Sequence, residues 1–261
     1  MDVLTPRSLA EAVELKAAHP AALPIQGGTD VMVAFNFDRA RPEVVLNLNE
    51  VNELRGWSRA DGEIRLGAGL TYTEAMEPEL ASLLPALAEA SRTVGSPQIR
   101  NRGTIGGNLG TASPAGDALP PLLVEGAEVE CVSVRGTRRV ALGEFVTGVK
   151  RTALGEDELI AAVWVRPTGA PQTFMKIGPR NARVIAVCSL ALSAGDELRA
   201  SFGSASPRPV LVTAPRDEAD TFAERVAAAT SPIDDVRGSA AYRRHAIRVL
   251  TERALARTLS Q

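Results

Sequence analysis

Apolar positions along this chain switch between a helical period and a strand period. Over 6–19, Leu9, Val13 and Leu15 recur among alanines behind Ser8, a side chain suited to an N-cap, and Pro20 and Pro24 follow; the spacing predicts a short first helix. Val44-Val45-Leu46-Asn47-Leu48 is a compact apolar run that predicts a strand, after the Gly27-Gly28 loop and an amphipathic stretch over 31–37. Alternation over 64–70 predicts a second strand, and 71–76 reads as a capped helix start. Leu80, Leu83, Leu84, Leu87 and Ala88 then place one apolar face on a helix over 79–93. Residues 94–117 are rich in Gly, Asn, Ser and Pro and predict a long loop, and a loop of that length in a compact domain is usually functional.

Another helix begins over 120–124. The runs 129–134 and 138–140 flank Gly136-Thr137 as a hairpin, and 159–165 is a further strand halted by Pro167. Gly, Ala and Pro over 168–171 mark a domain boundary. Beyond it, 173–177, 184–192 and 199–203 read as strands or strand-helix elements and 221–229 and 242–259 as helices, which together predict a small sheet backed by helices.

Composition narrows the function classes. The 261 residues, 45% hydrophobic and 23% charged, are those of a globular protein with a self-sufficient core. Aromatic residues at 4% offer no stacking platform for single strands, and a net charge of −2 with interleaved signs gives no nucleic-acid footprint. Arg243, Arg244, Arg248 and Arg253 recur at helical spacing and read as a solvated helix face. Cys131 and Cys188 are the only cysteines, too few to ligate an iron-sulfur cluster, and sit in apolar runs as small buried hydrophobes. His19 and His245 read as exposed, with no catalytic role. The N-terminus lacks a basic segment followed by an apolar one, and no run reaches membrane-spanning length, so the expected location is the cytoplasm with no membrane partner.

Two glycine pairs carry the candidate chemistry. Gly27-Gly28 is followed by Thr29-Asp30, and Thr104-Ile105-Gly106-Gly107-Asn108-Leu109 runs into Ala112-Ser113-Pro114-Ala115-Gly116-Asp117. Glycine removes Cβ and permits positive φ, so successive N–H groups can converge on an anion; a diphosphate held from two sides is the natural ligand. Thr29 and Thr104 add hydroxyl donors, Asn108 an amide, and Asp117 an acceptor for sugar-type hydroxyls. Neither loop matches the dinucleotide fingerprint or the P-loop.

The first loop from Pro24 to Asp30, the block from Gly95 to Leu109 and Ala112 to Asp117 closely resemble the FAD-binding subunit of the molybdenum hydroxylase family, of the xanthine dehydrogenase and carbon monoxide dehydrogenase flavoprotein type. Phe174-Met175-Lys176-Ile177-Gly178-Pro179-Arg180 and Ile185-Ala186-Val187 resemble the start of that family's C-terminal domain, and 235–245 its closing helix. Ser133 to Arg139 and the stretch from Asn181 through Ala182 to Cys188 are most similar to the xanthine-dehydrogenase type. The resemblance implies an α+β fold: a two-subdomain FAD-binding fold of the vanillyl-alcohol-oxidase (PCMH) type over 1–168, divided at about 56, and a small C-terminal α+β domain over 169–261.

By the same resemblance Gly27, Gly28, Thr29, Thr104, Gly107 and Asn108 grip the FAD diphosphate, Asp117 and Lys176 contact the sugar-like and flavin portions, and Ile160 lies near the isoalloxazine. Ile25, Gln26, Asp30, Gly106 and Thr111 complete the cofactor-binding set, with Gln26 standing where the family commonly has a small residue. The implied role is electron relay from a partner iron-sulfur subunit, beside a molybdopterin-containing catalytic subunit, through FAD to an acceptor such as NAD. Two other readings compete: a self-contained flavoprotein oxidoreductase of the same fold, and a flavin-free assembly subunit.

Overall fold

The computed structural model of the chain describes residues 1–181 and 183–260. The chain opens with β1 (Asp2–Leu4), α1 (Leu9–Ala18), β2 (Leu23–Ile25), α2 (Val31–Asn36) and β3 (Val44–Asn47). The three strands form a parallel sheet in the order β1-β3-β2, with Val45 opposite both Val3 and Leu23. Ser8 caps α1 as its sequence predicts, its hydroxyl accepting from the Glu11 amide at 3.2 Å. Ala12 of α1 packs against Leu46 and Leu48 to fill the small core of this unit.

The second sheet is antiparallel and runs β4-β5-β10-β6-β7, from β4 (Trp57–Ala60), β5 (Glu63–Gly67), β6 (Glu128–Ser133), β7 (Gly136–Ala141) and β10 (Leu159–Val165). The predicted hairpin around Gly136 is present with Ser133 opposite Gly136. A short ribbon, β8 (Val146–Gly148) and β9 (Arg151–Thr152), stands beside it. Between β5 and β6 lie α3 (Pro78–Leu83), α4 (Pro85–Thr93), α5 (Pro97–Arg100), α6 (Ile105–Thr111) and α7 (Leu119–Val124), and α8 (Leu142–Phe145) follows β7. Their apolar faces meet the sheet in the largest core, around Leu66, Leu80, Leu87, Ile105, Leu109 and Phe145.

Two expectations fail here for physical reasons. The single helix over 79–93 is broken at Leu84, whose φ of −131° and ψ of 64° lie outside the helical region. Pro85 follows it, and a proline's ring crowds the preceding residue out of the α conformation while itself starting a new helix well. The long loop over 94–117 instead contains α5 and α6. Despite three glycines, α6 forms because Thr104 caps it and Ile105 and Leu109, four residues apart, are both buried on one face.

The third layer is an antiparallel sheet in chain order, β11 (Gln172–Ile177), β12 (Cys188–Ala194), β13 (Glu197–Gly203) and β14 (Leu211–Pro215). The strands lie close to those the sequence predicts, except that residues 184–187 precede β12 rather than belonging to it and β14 has no apolar run that predicts it. Every residue of β12 is buried. One face meets α9 (Ala219–Ala228) and α10 (Ala240–Leu259) in a core of Leu190, Leu192, Phe202, Phe222 and Ile247; on the other, Ala191 and Phe174 meet Ala86 and Ala90 of α4 and Val124 of α7. On α10, Arg243 is only 4% exposed, so it is not part of a solvated basic face. Its guanidinium donates to the Ser204 carbonyl at 2.9 Å and pairs with Asp235 at 2.5 Å, holding the segment before the helix against the sheet. Arg244 and Arg253 are exposed as expected.

Two carboxylates, half-buried Glu89 and buried Glu125, tie this layer to the second sheet's helices. Glu89 accepts from the Phe174 amide at 2.7 Å and the Thr173 hydroxyl at 3.0 Å, and pairs with Arg257 at 2.5 Å. β11 is an edge strand, and Glu89 covers its outward N–H. Glu125 accepts from the Thr168 amide at 3.0 Å, and Arg199 donates to the Val124 carbonyl at 2.6 Å. Glu89→Ala leaves the Phe174 amide without a partner, and the expected result is a loss of about 1–3 kcal/mol of stability, read from urea unfolding. An unchanged midpoint and slope would remove Glu89 from the docking of this sheet.

Candidate functional site

A cleft of about 980 Å³ opens where the three layers meet. Its walls come from the loop after β2, from α6, from the turn leading to α7, from β10 and from residues 183–185 before β12.

The loop after β2 is held against the start of α6 by contact between backbones. A Cβ on Gly27 would overlap the carbonyl of Arg102, so only a glycine lets these two segments lie together. Gly28 has φ of +72°, a left-handed turn open to glycine at little cost. Arg102 reinforces the junction through its guanidinium, which donates to the Gln26 carbonyl at 3.3 Å and the Asn49 side chain at 3.2 Å. The Gln26 side chain lies over Gly69, whose missing Cβ makes the room, so the larger residue is accommodated beside the loop. Among the described residues, the amides of Gly27, Gly28, Thr29 and Asp30 donate to no other group. Four consecutive N–H groups at a cleft wall form a site for an anion.

The second glycine pair works differently from the sequence expectation. Ile105 and Gly106 donate to the Leu70 and Ala68 carbonyls at 2.9 and 2.8 Å, Gly107 to the Thr104 hydroxyl at 3.0 Å, and Asn108 to the Thr104 carbonyl at 3.0 Å. The first-turn amides of α6 are therefore satisfied within the protein and are not free to grip a diphosphate. What the glycines give is shape. A Cβ on Gly106 would sit 2.6 Å from that of Ala68, and one on Gly107 would project beside the Thr104 hydroxyl into the exposed wall. The Thr104 oxygen is an acceptor here, and its own hydrogen remains available to a ligand.

Two side-chain oxygens in the walls have no partner in the protein: Asn108 Oδ1 and Asp117 Oδ1, both buried. Asp117 Oδ2 pairs with the Lys176 ammonium at 2.6 Å, and Lys176 also donates to the Thr93 carbonyl at 3.4 Å. Burial pushes the Asp117 carboxyl above the usual carboxylate range, and Lys176 pulls it back. Tyr72, buried in the same wall, has its phenol pushed up by burial and by the Asp117 charge. In β10, a bulge between Ile160 and Ala162 breaks the register with β6, and Ile160 lines the cleft with its Cδ1 3.6 Å from where a Cβ on Gly110 would lie.

Of the predicted site residues, Ile25, Gln26, Gly27, Gly28, Thr29, Asp30, Thr104, Gly106, Gly107, Asn108, Thr111, Asp117 and Ile160 all line this one cleft. Lys176 does not; it stands behind Asp117 as its counter-charge. Ala182 lies outside the described residues. Ala68, Tyr72, Lys150 and Leu154 also line the cleft and carried no signal in the sequence, since none belongs to a motif that points to a ligand, and Val184 lines it from the stretch between Asn181 and Cys188.

This donor and acceptor set fits FAD. Free amides face an anion such as a diphosphate, orphaned carboxyl and amide oxygens face hydroxyl or ring N–H donors, and Ile25, Ala68, Leu154, Leu159 and Ile160 offer apolar surface to a flat ring.

Comparison with known proteins agrees. The family of FAD-binding domains in molybdopterin dehydrogenases matches residues 1–167. The xanthine dehydrogenase FAD-binding subunit of Escherichia coli O157:H7 is 30% identical over 274 residues, covering 97% of this chain and 94% of that one. The carbon monoxide dehydrogenase medium chain of Afipia carboxidovorans is 30% identical over 283 residues, covering 98% and 96%. The crystal structure of the cyanide-inactivated Cu,Mo-CO dehydrogenase contains a chain that superposes with a TM-score of 0.91 at 26% identity, covering 99% of this chain and 97% of that one. The fold is the α+β, PCMH-type FAD-binding fold, and the cofactor is FAD. This chain belongs to the family of FAD-binding subunits of molybdenum hydroxylases, components of oxidoreductases.

Proposed function

We propose that this chain holds FAD non-covalently in the cleft and relays electrons from a partner iron-sulfur subunit to an acceptor such as NAD, while a molybdopterin-containing subunit oxidises a small substrate of the xanthine type. The observation that carries this reading is the convergence in one cleft of four free amides and two orphaned acceptor oxygens. Bound FAD supplies the electron-transfer chemistry, and the chain positions and tunes it.

Gly27, Gly28, Thr29 and Asp30 present their amides to the diphosphate, with the Thr104 hydroxyl and the Asn108 side chain from the facing helix. Asp117 accepts from FAD hydroxyl or N–H groups through Oδ1, its charge kept by Lys176, which thus acts through Asp117. Gly106, Gly107 and Thr111 keep the α6 wall flat, Ile25 and Gln26 complete the floor, and Ile160 packs beside the ring. Residues 169–261 form the separate C-terminal domain of this reading, and its place of work is the cytoplasm; among the described residues no helix is long and apolar enough to cross a membrane.

Several facts support an electron source outside the chain. Cys131 and Cys188 lie on different sheets, both buried, with thiols pushed up to about 11 and about 12 by burial. Relatives are named as FAD-binding subunits and medium chains. Their names span xanthine, nicotinate and carbon monoxide dehydrogenases, and the xanthine preference rests on the resemblance carried by Ser133 to Arg139 and by the stretch from Asn181 to Cys188.

Purified from its native host, the protein is expected to show a flavin spectrum and to bring iron- and molybdenum-containing subunits with it. A yellow chain that turns over substrate alone would replace this reading with a self-contained flavoenzyme.

Asp117→Asn removes a charge-assisted hydrogen bond of about 1.5–3 kcal/mol and should weaken FAD binding about tenfold to hundredfold, measured by flavin retention on dialysis. Gly107→Val should be more severe, because its side chain occupies exposed cleft space while leaving the buried packing of α6 in place. A folded Gly107→Val protein with a full complement of FAD would show that the cofactor lies elsewhere.

A further inference from the structure

Tyr72 brings to the cleft a polar group that nothing in the protein uses. It lines the wall and is 5% exposed, yet its hydroxyl makes no hydrogen bond among the described residues. A buried phenol normally finds a partner, because burial takes water away from its O–H. Here the cleft is the space from which a partner can come.

The segment that carries Tyr72 is held firmly in place. Thr71 and Glu74 cap each other, the Thr71 hydroxyl accepting from the Glu74 amide at 3.2 Å while the Glu74 carboxylate accepts from the Thr71 amide at 2.7 Å. Tyr72 follows directly, and its own amide donates to the Gly103 carbonyl at 3.2 Å. Its ring lies against Gly103, where a Cβ would stand 3.1 Å from Cε2, and belongs to the core that holds Ile105, Leu109, Ala118 and Leu119. A rigid ring wedged in this way carries its hydroxyl to one place.

Asp117 Oδ1 is a second oxygen in the walls with no partner. Burial and then the Asp117 charge push the Tyr72 phenol up, which keeps it protonated at ordinary pH and so always able to donate. Asp117, paired through Oδ2 with Lys176, accepts. A donor and an acceptor in one neighbourhood match a ligand group that accepts through one atom and donates through the same atom or the next. FAD offers two kinds: its sugar and sugar-alcohol hydroxyls, and the ring edge where C=O and N–H alternate.

We propose that Tyr72 is a further cofactor-binding residue, its phenol donating to the same FAD group that donates to Asp117 Oδ1. The proposal rests on FAD occupying this cleft and on no particular direction of the molecule within it.

The test is a double-mutant cycle of Tyr72→Phe and Asp117→Asn in the protein purified with its companion subunits. It reads the FAD dissociation constant, the unfolding midpoint of the flavin-free protein and the visible flavin spectrum. Tyr72→Phe keeps the ring and its packing, so the flavin-free midpoint should not move, while FAD should bind about tenfold more weakly and to the same extent at neutral and mildly alkaline pH. Because both residues hold one group, the double variant should lose clearly less than the product of the two single losses. Unchanged FAD affinity in Tyr72→Phe would overturn the proposal, as would two losses that simply multiply. Weaker binding matched by a lowered flavin-free midpoint would also overturn it and make Tyr72 a packing residue. A shifted visible band in Tyr72→Phe would assign the shared group to the ring edge, and an unshifted band with weakened binding to a hydroxyl; each sustains the proposal. A wild-type protein without FAD would defeat the cleft reading itself, an outcome separate from any change at Tyr72.

Discussion

The cleft depends on two backbones touching where no side chain can intervene. Gly27 lies against the carbonyl of Arg102, and this contact brings the loop that follows the parallel sheet onto the start of α6, which belongs to the antiparallel sheet's side of the molecule. Tyr72 donates its amide to Gly103 at 3.2 Å and Gly106 donates to Ala68 at 2.8 Å, so the same short stretch is also bonded to the segment leaving β5. Any Cβ at position 27 would push the two walls apart, and every other wall residue takes its place relative to this junction. The cost of such close approach is the entropy glycine loses on ordering, and it is met by the hydrogen bonds on either side of the contact.

From that junction follows a division of labour between two glycine pairs that look alike in sequence. Gly27-Gly28 leaves its amides unused and so supplies donors. Gly106-Gly107 uses its amides internally and so supplies a flat surface. The distinction comes from what precedes each pair. Ile25 ends a strand, after which the chain turns with no partner for its N–H groups, whereas Thr104 offers both a hydroxyl and a carbonyl that absorb the first turn of a helix.

Legibility in the sequence follows the same logic. Strands with one or both faces in a core, such as β3, β6 and β10, announce themselves through apolar runs, as does α10, whose buried positions recur every three to four residues. β4 is an edge strand of Trp57-Ser58-Arg59-Ala60, largely exposed, and β14 is half-buried at another edge, so neither has a pattern to read. α6 was hidden because its composition argues against a helix; capping and two buried side chains override propensity. Thirteen of the candidate residues line one cleft because they sit in two motifs and one strand that the fold brings together. Lys176 was legible as a neighbour of the site but not in its role. Tyr72 and Lys150 were not, because each enters the cleft through a turn whose geometry is set by distant partners, Gly103 for one and Ala112 for the other.

Lys176 also shows why the third sheet matters to a cleft built mainly by the other two. It reaches Asp117 from β11, a strand held in place by Glu89 on α4 and, through its neighbours, by Arg199 on the Val124 carbonyl. The Ser204 amide, just beyond β13, donates to Pro114 at 2.7 Å, so the turn that carries Asp117 is fastened from the same side. A carboxylate this buried keeps its charge only because a cation is delivered to it, and here the cation arrives from a different layer of the fold. Docking of the third sheet and the polarity of the cofactor cleft are therefore one physical event, since a displacement of β11 large enough to withdraw the ammonium would leave Asp117 to neutralise by taking up a proton. The acceptor oxygen facing the cleft would then be half of a carboxylic acid, no longer a full hydrogen-bond acceptor for the hydroxyls of a dinucleotide.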